Sequence, residues 1–342
     1  MLLRFLIMAI FILLGSCKEG WDSDAVSKAA KATEKTTRWY LDLHGGTKMP
    51  TTNNVVGLTS DGEATVIVPI KSTFPEGFRM MKPRAMVLLD DGRLLLTSSQ
   101  QNRSGLFLFG LPNWQGSRAF LEAFALETTD NPLLSHPYGM TMGPDGSIYV
   151  SCQDSSAVLR YSHPSGKNAG EPMTAWSKVG TACWIPPHKH HKHGLHAPRG
   201  LAFGWDGHLY VSDRDKGVSA WDQEGKFVRM VADKDSGLVK PIQILFDDEQ
   251  RLFIGDRGAH TVWIIEGPDS KPRRFIPEDT HQPKLPSALA VDGKWLYVGD
   301  RDRREIRRFR LSDGKPDEKV WLKDLPDSPE FLLNIKPHGE DE

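Results

Sequence analysis

Three times the sequence sets Asp and Arg side by side after a short apolar run: Asp213-Arg214 after LYVS, Asp256-Arg257 after LFIG and Asp300-Arg301 after LYVG. Asp at such a position accepts backbone hydrogen bonds and closes a turn, but no turn requires the Arg. Guanidinium groups gathered from several places suit a carboxylate, a phosphate or a sugar acid held by paired hydrogen bonds. The alternative is local ion pairing, worth about 0–1 kcal/mol per exposed pair. A second group is HKHHKHGLH, which carries His188, His190, His191, His193 and His196. Imidazoles at this density suit a divalent metal such as zinc, nickel or copper, although the spacing matches no closed site and a Lys/His loop is commonly just solvated. Export would make a Cys152–Cys183 disulfide possible; two unpaired buried thiols are the alternative. No Ser nucleophile elbow, zinc-protease helix motif or Cys-x-x-Cys-His haem site occurs.

The elements that must position these groups repeat. PRGLAFGWDGHLYVSDRD, from Pro198, has counterparts opening at Pro83, Pro137, Pro241 and Pro286, with spacings of 54, 61, 43 and 45 residues. A unit of about 43–45 residues with period-two apolar alternation is one four-stranded propeller blade. In the Pro198 unit the strands are expected at 201–203, 209–212, 218–221 and 227–231, with a hairpin turn at Trp205-Asp206-Gly207. AVLRYS, TVWIIE and EIRRFR take the third position of other units, and PRRFI and KVWLKDL the fourth. After Pro329, EFLLNI is a strand without partners, while WYLDL, VVGLT and ATVIV near the other end are three strands lacking a first. Their union makes a sixth blade from both termini and removes two sheet edges; a five-bladed ring with loose ends is the alternative. The expected fold is therefore an all-β propeller over residues 51–342.

Antiparallel pairing puts the start of each first strand and the end of each second strand at one end of the blade. Arg84, His136, Tyr138, His196, Arg199, Asp213, Arg214, Asp256, Arg257, Asp300 and Arg301 are thus expected on one face, around the mouth of the central channel.

The first 16 residues read as an export signal: Arg4, then apolar residues from Phe5 to Leu14, too few to span a bilayer. Leu14-Gly15-Ser16-Cys17 resembles the bacterial lipobox. That resemblance implies acylation of Cys17 (palmitate among the acyl groups), a membrane anchor and residence in the bacterial cell envelope. Lys18 after the Cys favours the outer membrane. Residues 17–50 read as a polar tether with a short helix over 24–36. Lys plus Arg is 43 and Asp plus Glu is 44, a balance that does not call for nucleic acid, and the domain is expected to be monomeric.

The units resemble NHL repeats, whose pattern runs Pro-x-Gly-(Ile/Val)-Ala-x-Asp-x-x-Gly-x-(Ile/Leu)-Tyr-Val-x-Asp, with the best copies at Pro137, Pro198 and Pro286. DRGAHTV and DRDRREI depart from the Asn and Arg that follow in the family. Repeats that are sound in their strands and degenerate in their loop residues fit a binding scaffold for a protein, peptide or glycan on the Arg/Asp face. The resemblance implies an alternative, a metal-dependent enzyme similar to peptide-amidating lyases or gluconolactonases. In those lyases, histidines directly follow the blade-opening Pro; the matching positions here are Arg84, Tyr138, Arg199, Ile242 and Ser287. The Glu-Gly-Pro opening of gluconolactonases has its nearest text at Pro75-Glu76-Gly77-Phe78.

Overall fold

In the computed structural model the described residues are 37–45, 55–68, 80–113, 118–278 and 280–335, all within the compact unit Thr37–Glu342. The export signal, Cys17, the expected tether up to residue 36 with its helix, and Pro75–Phe78 lie outside them; the rest of the expected tether that is described, residues 37–45, carries a strand of the propeller.

Six sheets follow in order. Blade 1 comprises Met86–Leu88, Leu94–Ser98, Gly105–Pro112 and Arg118–Leu126, and blade 2 comprises Pro137–Met142, Ile148–Cys152, Ala157–Tyr161 and Cys183–Ile185. Blade 3 is built from Pro198–Phe203, Leu209–Asp213, Gly217–Trp221 and Phe227–Ala232, each within one to three residues of the expected strand. Blade 4 has Pro241–Phe246, Leu252–Asp256, Thr261–Ile265 and the two-residue Arg273–Arg274. Blade 5 pairs Pro286–Asp292, Trp295–Asp300 and Glu305–Arg310, and isolated bridges from Ile306 to Leu322 and from Phe309 to Pro316 hold its outer position.

Blade 6 is the composite one. Pro329–Asn334 from the C-terminal side pairs with Trp39–Leu43, which continues to Val55–Leu58 and Ala64–Val68. The all-β, six-bladed reading is correct, and the propeller begins at Trp39, ahead of the expected boundary at residue 51. The ring closes physically as well: six buried apolar clusters each sit between two neighbouring blades, the one containing Tyr40, Val55, Met86 and Phe107 lying between blades 6 and 1.

The repeated phrase now has a mechanical explanation. In blades 2 and 3 the Gly of Pro-x-Gly is where the next blade's backbone passes. A Cβ on Gly139 would stand 2.1 Å from the Arg199 carbonyl oxygen, and one on Gly200 would stand 2.7 Å from the Ile244 nitrogen. A small hydroxyl residue, at the second strand in blades 1 to 3 and on the first strand in blade 5, stitches the same seam. Ser151 donates to the Arg199 carbonyl, Ser212 to that of Ile242, Ser287 to that of Pro329 and Ser99 to that of Pro137. At the opposite end, the turn Gly207 adopts φ +71°, the left-handed conformation that glycine takes without strain.

Cys152 and Cys183 are free, buried thiols, and the expected disulfide is not formed. Cys152 pairs with Ala157 and Cys183 with Leu159, on opposite sides of the strand Ala157–Tyr161. Two strand spacings of about 4.8 Å exceed the ~7 Å Cα separation that a bridge tolerates. Both thiols sit in the apolar cluster between blades 1 and 2, and burial pushes Cys183 up to about 12.

Candidate functional site

Strand register places the expected residues on one face: Pro198 lies opposite Asp213, Pro241 opposite Asp256 and Pro286 opposite Asp300. The three carboxylates are 1, 0 and 3 % exposed, and they belong to the scaffold. Asp213 accepts from the amides of His196, Ala197 and Asp215. Asp256 accepts from Val239, Lys240, Gly258 and Ala259. Asp300 accepts from Lys284, Leu285, Asp302 and Arg303. Burial alone would raise the Asp300 carboxyl; the amides of Lys284, Arg303 and Leu285 outweigh it and hold it below the usual range. Each Asp straps the segment before a first strand to the turn after the second. The following Arg takes part through its backbone, since Arg214, Arg257 and Arg301 donate their N–H to the carbonyls of Ala197, Lys240 and Leu285. Their side chains are left to other business.

That business divides the face in two. On one side stands Glu330, 2 % exposed, directly after Pro329. Its Oε1 lies 2.9 Å from Arg84 Nη1, 2.9 Å from His44 Nδ1 and 3.0 Å from Arg301 Nη1. Burial would raise the Glu330 carboxyl, but Arg84 first, then His44 and Arg301, bring it down to about 2. Arg84 is likewise opposed by burial and held above its ordinary value by Glu330. Beside them Asp42 is wholly buried. Burial first, then the like charge of Glu330, pushes its carboxyl well up, against the pull of Arg84.

On the other side stands Arg199, 4 % exposed. Its guanidinium lies over the Tyr138 ring, 4.3 Å from the centroid, and Arg84 lies 5.2 Å from the same centroid. Arg199 Nη1 donates to Gln153 Oε1, Gln153 Nε2 donates in turn to Asp154, and Arg199 Nε is buried without a hydrogen-bond partner. No carboxylate among the described residues is within ion-pair distance of it. Burial pulls Arg199 down to about 10; Tyr138 opposes this, and Arg214, Arg84 and Arg257 add to it. Arg214 is engaged by Asp215 at 2.9 and 3.1 Å. Arg257, half-buried, makes no side-chain hydrogen bond or ion pair among the described residues. His136 rounds off this side, its Nδ1 3.3 Å from Asp154; burial, Arg84 and Arg199 hold it below the usual imidazole range against Asp154.

Arg84, Tyr138, Arg199, Ile242, Ser287 and Glu330 all occupy the place after a blade's first Pro, and all are buried. They form a packed layer. The open part of the central channel, about 790 Å³, lies beyond it: its lining starts one or two residues further along each first strand, with Met86, Met140, Leu201 and Phe331, and runs to the Asp-Gly turn end. Glu330, Asp42 and His44 were missed by sequence reasoning. Glu330 was findable, because Pro329 had been placed in register and the residue after it occupies the same position as Arg84 and Arg199.

The histidine run does not converge. His188 stacks on His196 at 3.7 Å, His193 stacks on Phe227 at 3.9 Å and His191 tilts against Trp176 at 5.3 Å. His190 takes part through its backbone amide, bonded to the Pro187 carbonyl. Among the described residues no group of three or more His, Cys, Asp or Glu side chains is arranged to hold a metal ion.

No family model matches the sequence, and no curated protein does. Solved structures do share the fold. A chain in the crystal structure of a nidogen/laminin complex superposes with TM-score 0.58 at 16 % identity, over 87 % of this chain and 97 % of that one. A catalytically inactive virginiamycin B lyase from Staphylococcus aureus with quinupristin gives 0.51 at 16 %, over 87 and 90 %. A streptogramin B lyase gives 0.50 at 13 %, over 85 and 86 %. At these identities the likeness is one of fold.

Proposed function

We propose that the protein is a membrane-anchored envelope lipoprotein whose propeller is a binding scaffold, holding an anionic protein, peptide or glycan on the Arg-rich face. The observation that carries this reading is the unpaired guanidinium groups on one half of that face: Arg199 and Arg257 have no ion-paired carboxylate among the described residues, and Arg214 has Asp215. Crowded guanidinium groups repel one another, and an anionic surface relieves that repulsion and is steered towards it. The nidogen/laminin structure shows the same architecture within a protein complex, which agrees with a binding role. The enzyme reading finds less support. The positions where peptide-amidating lyases carry histidines hold Arg84, Tyr138, Arg199, Ile242, Ser287 and Glu330, a set without an imidazole.

The test is equilibrium binding of two polyanions, poly-L-glutamate and polygalacturonate, as a function of salt. Wild type is expected to bind at least one of them, with affinity falling as salt rises. Arg214→Glu and Arg257→Glu should each weaken binding about tenfold or more, the effect of reversing a charge in the contact. Binding unchanged by both reversals would remove this face from the function.

A further inference from the structure

The two halves of the Arg-rich face are built from similar cations but differ in one respect. Around Glu330, Arg84, Arg301 and His44 converge on a carboxylate oxygen supplied by the chain itself. Around Arg199 the cations recur without the carboxylate. Its guanidinium is as buried as that of Arg84, yet its polar partners are an amide oxygen and an aromatic face, with no carboxylate among the described residues within ion-pair distance. Burying a charge without a counter-ion costs several kcal/mol unless something else compensates it. An aromatic face and a neutral amide oxygen offset part of that cost, less than a carboxylate would. The half-buried Arg257 adds a second cation with no carboxylate of its own among the described residues.

We propose that Arg199, with Arg257 and Arg214 at its edge, is a binding site for a single carboxylate group of the ligand, the counterpart of what Glu330 supplies to the other half. This rests on the binding reading above and names the chemical group that the face selects. Arg199 takes the carboxylate on the edge that Gln153 leaves free, and Arg257 supplies the second cation. Arg214 is exchanged between Asp215 and the ligand. Arg84 and Arg301 are spent on Glu330 and contribute only background charge. A uronic acid and an acidic peptide side chain both present this group.

The experiment is thermal unfolding of the full chain in low-chloride buffer, titrated with D-galacturonate, glutarate or inorganic phosphate, each against chloride at matched ionic strength. Wild type should show a saturable Tm rise with at least one of the two carboxylates. Galacturonate alone points to a sugar-acid source, and glutarate alone to an acidic side chain. Arg257→Gln should lose most of the rise. Arg199→Met should abolish it while its own ligand-free Tm is no lower than wild type, because an uncompensated buried charge has been removed. Arg273→Gln, at an exposed guanidinium paired with Glu266 on the outer strand of blade 4, should behave as wild type. A rise with phosphate alone, no rise beyond matched chloride, or an equal rise in Arg257→Gln overturns the proposal. So does a marked fall in the ligand-free Tm of Arg199→Met, which would make Arg199 a structural residue. If the polyanions bind and neither small carboxylate acts, this inference fails while the scaffold reading stands; if neither binds, both fail.

Discussion

Replacing Glu330 with Gln tests the closure of the ring and the electrostatics of the face together. The substitution keeps shape and removes the charge on which Arg84, His44 and Arg301 converge at 2.9, 2.9 and 3.0 Å. Lowering a carboxyl from 4.5 to about 2 corresponds to about 3 kcal/mol of stability at neutral pH. That agrees with the ~3–5 kcal/mol typical of breaking a buried pair and stranding its partner. One effect works the other way. Asp42 loses a like-charged neighbour, so the lower end of the range applies. An unfolding entropy of about 2.1 cal/mol/K per residue gives about 1.6 °C per kcal/mol for a domain of this length, hence a Tm fall of about 5 °C. The pH dependence supplies the sharper criterion. Because the folded-state value is depressed, the stabilisation is complete above about 4.5 and is lost as pH falls through about 2. The gap in Tm between wild type and Glu330→Gln should therefore be flat from pH 6 to 8 and narrow steadily below 4.5. Scanning calorimetry across that range decides it. A Tm within 1 °C of wild type at pH 7, or a gap that persists undiminished to pH 2.5, would refute the argument.

Asp42 has the opposite sign: its folded-state value is raised, so its contribution is present below 3.8 and is lost as pH rises through the folded value, and Asp42→Asn should raise Tm relative to wild type at pH 8 more than at pH 4. Gly200→Ala should lower stability by about 1–3 kcal/mol, since its Cβ would meet backbone of blade 4 at 2.7 Å, whereas Gly293→Ala, with φ +53° but nothing within 4 Å, should lose only about 1 kcal/mol; chemical denaturation separates the two. Thiol titration without reductant should find Cys152 and Cys183 unreactive in the native state and fully reactive in denaturant, and recovery of one disulfide instead would contradict the strand order. Cys17→Ser should abolish incorporation of a fatty-acid probe and leave an unprocessed or soluble product; labelling that survives would remove the lipid anchor.

Backbone demands are what the repeats made legible. Pro-x-Gly, a Ser at the inter-blade seam and the Asp after the second strand recur in several blades because neighbouring main chains must pass and the loop before a first strand must be strapped, as Gly200, Ser212 and Asp213 do. Such demands are local and identical from blade to blade, so they leave a period in the sequence. The disulfide expectation failed for a related reason: Cys183 falls in the long stretch between two repeats, where the period says nothing, and the strand Ala157–Tyr161 separates it from Cys152. Pairing among charged side chains leaves no period at all. Arg214, Arg257 and Arg301 look alike in the sequence, and their backbone N–H groups do the same work, yet one meets the neighbouring Asp215, one meets nothing among the described residues and one meets Glu330, whose blade is assembled from the two ends of the chain.

Composite closure also explains why the two halves of the face differ. The blade that contributes Glu330 also brings in Asp42 and His44 on its second strand and its continuation, so the ends of the chain carry their own acids and cations into the seam they must hold shut. A seam of this kind gains from internal neutralisation, because any charge left over would weaken the one junction that is not covalently continuous. Blades 2, 3 and 4 are joined by chain and have no such requirement. There the cost of an unpaired guanidinium falls on a stable part of the ring, where Arg199 and Arg257 can remain without a carboxylate until a ligand supplies one. The position of the unpaired guanidinium groups, away from the closing seam, is therefore what a propeller that binds anions would be expected to show. It implies that ligand and closure are nearly independent. Glu330→Gln should lower Tm without changing the size of the carboxylate-induced rise, and Arg257→Gln should do the reverse. If the double variant instead shows a coupling above about 0.5 kcal/mol, the limit for independent sites, the division of the face into a structural half and a binding half is wrong.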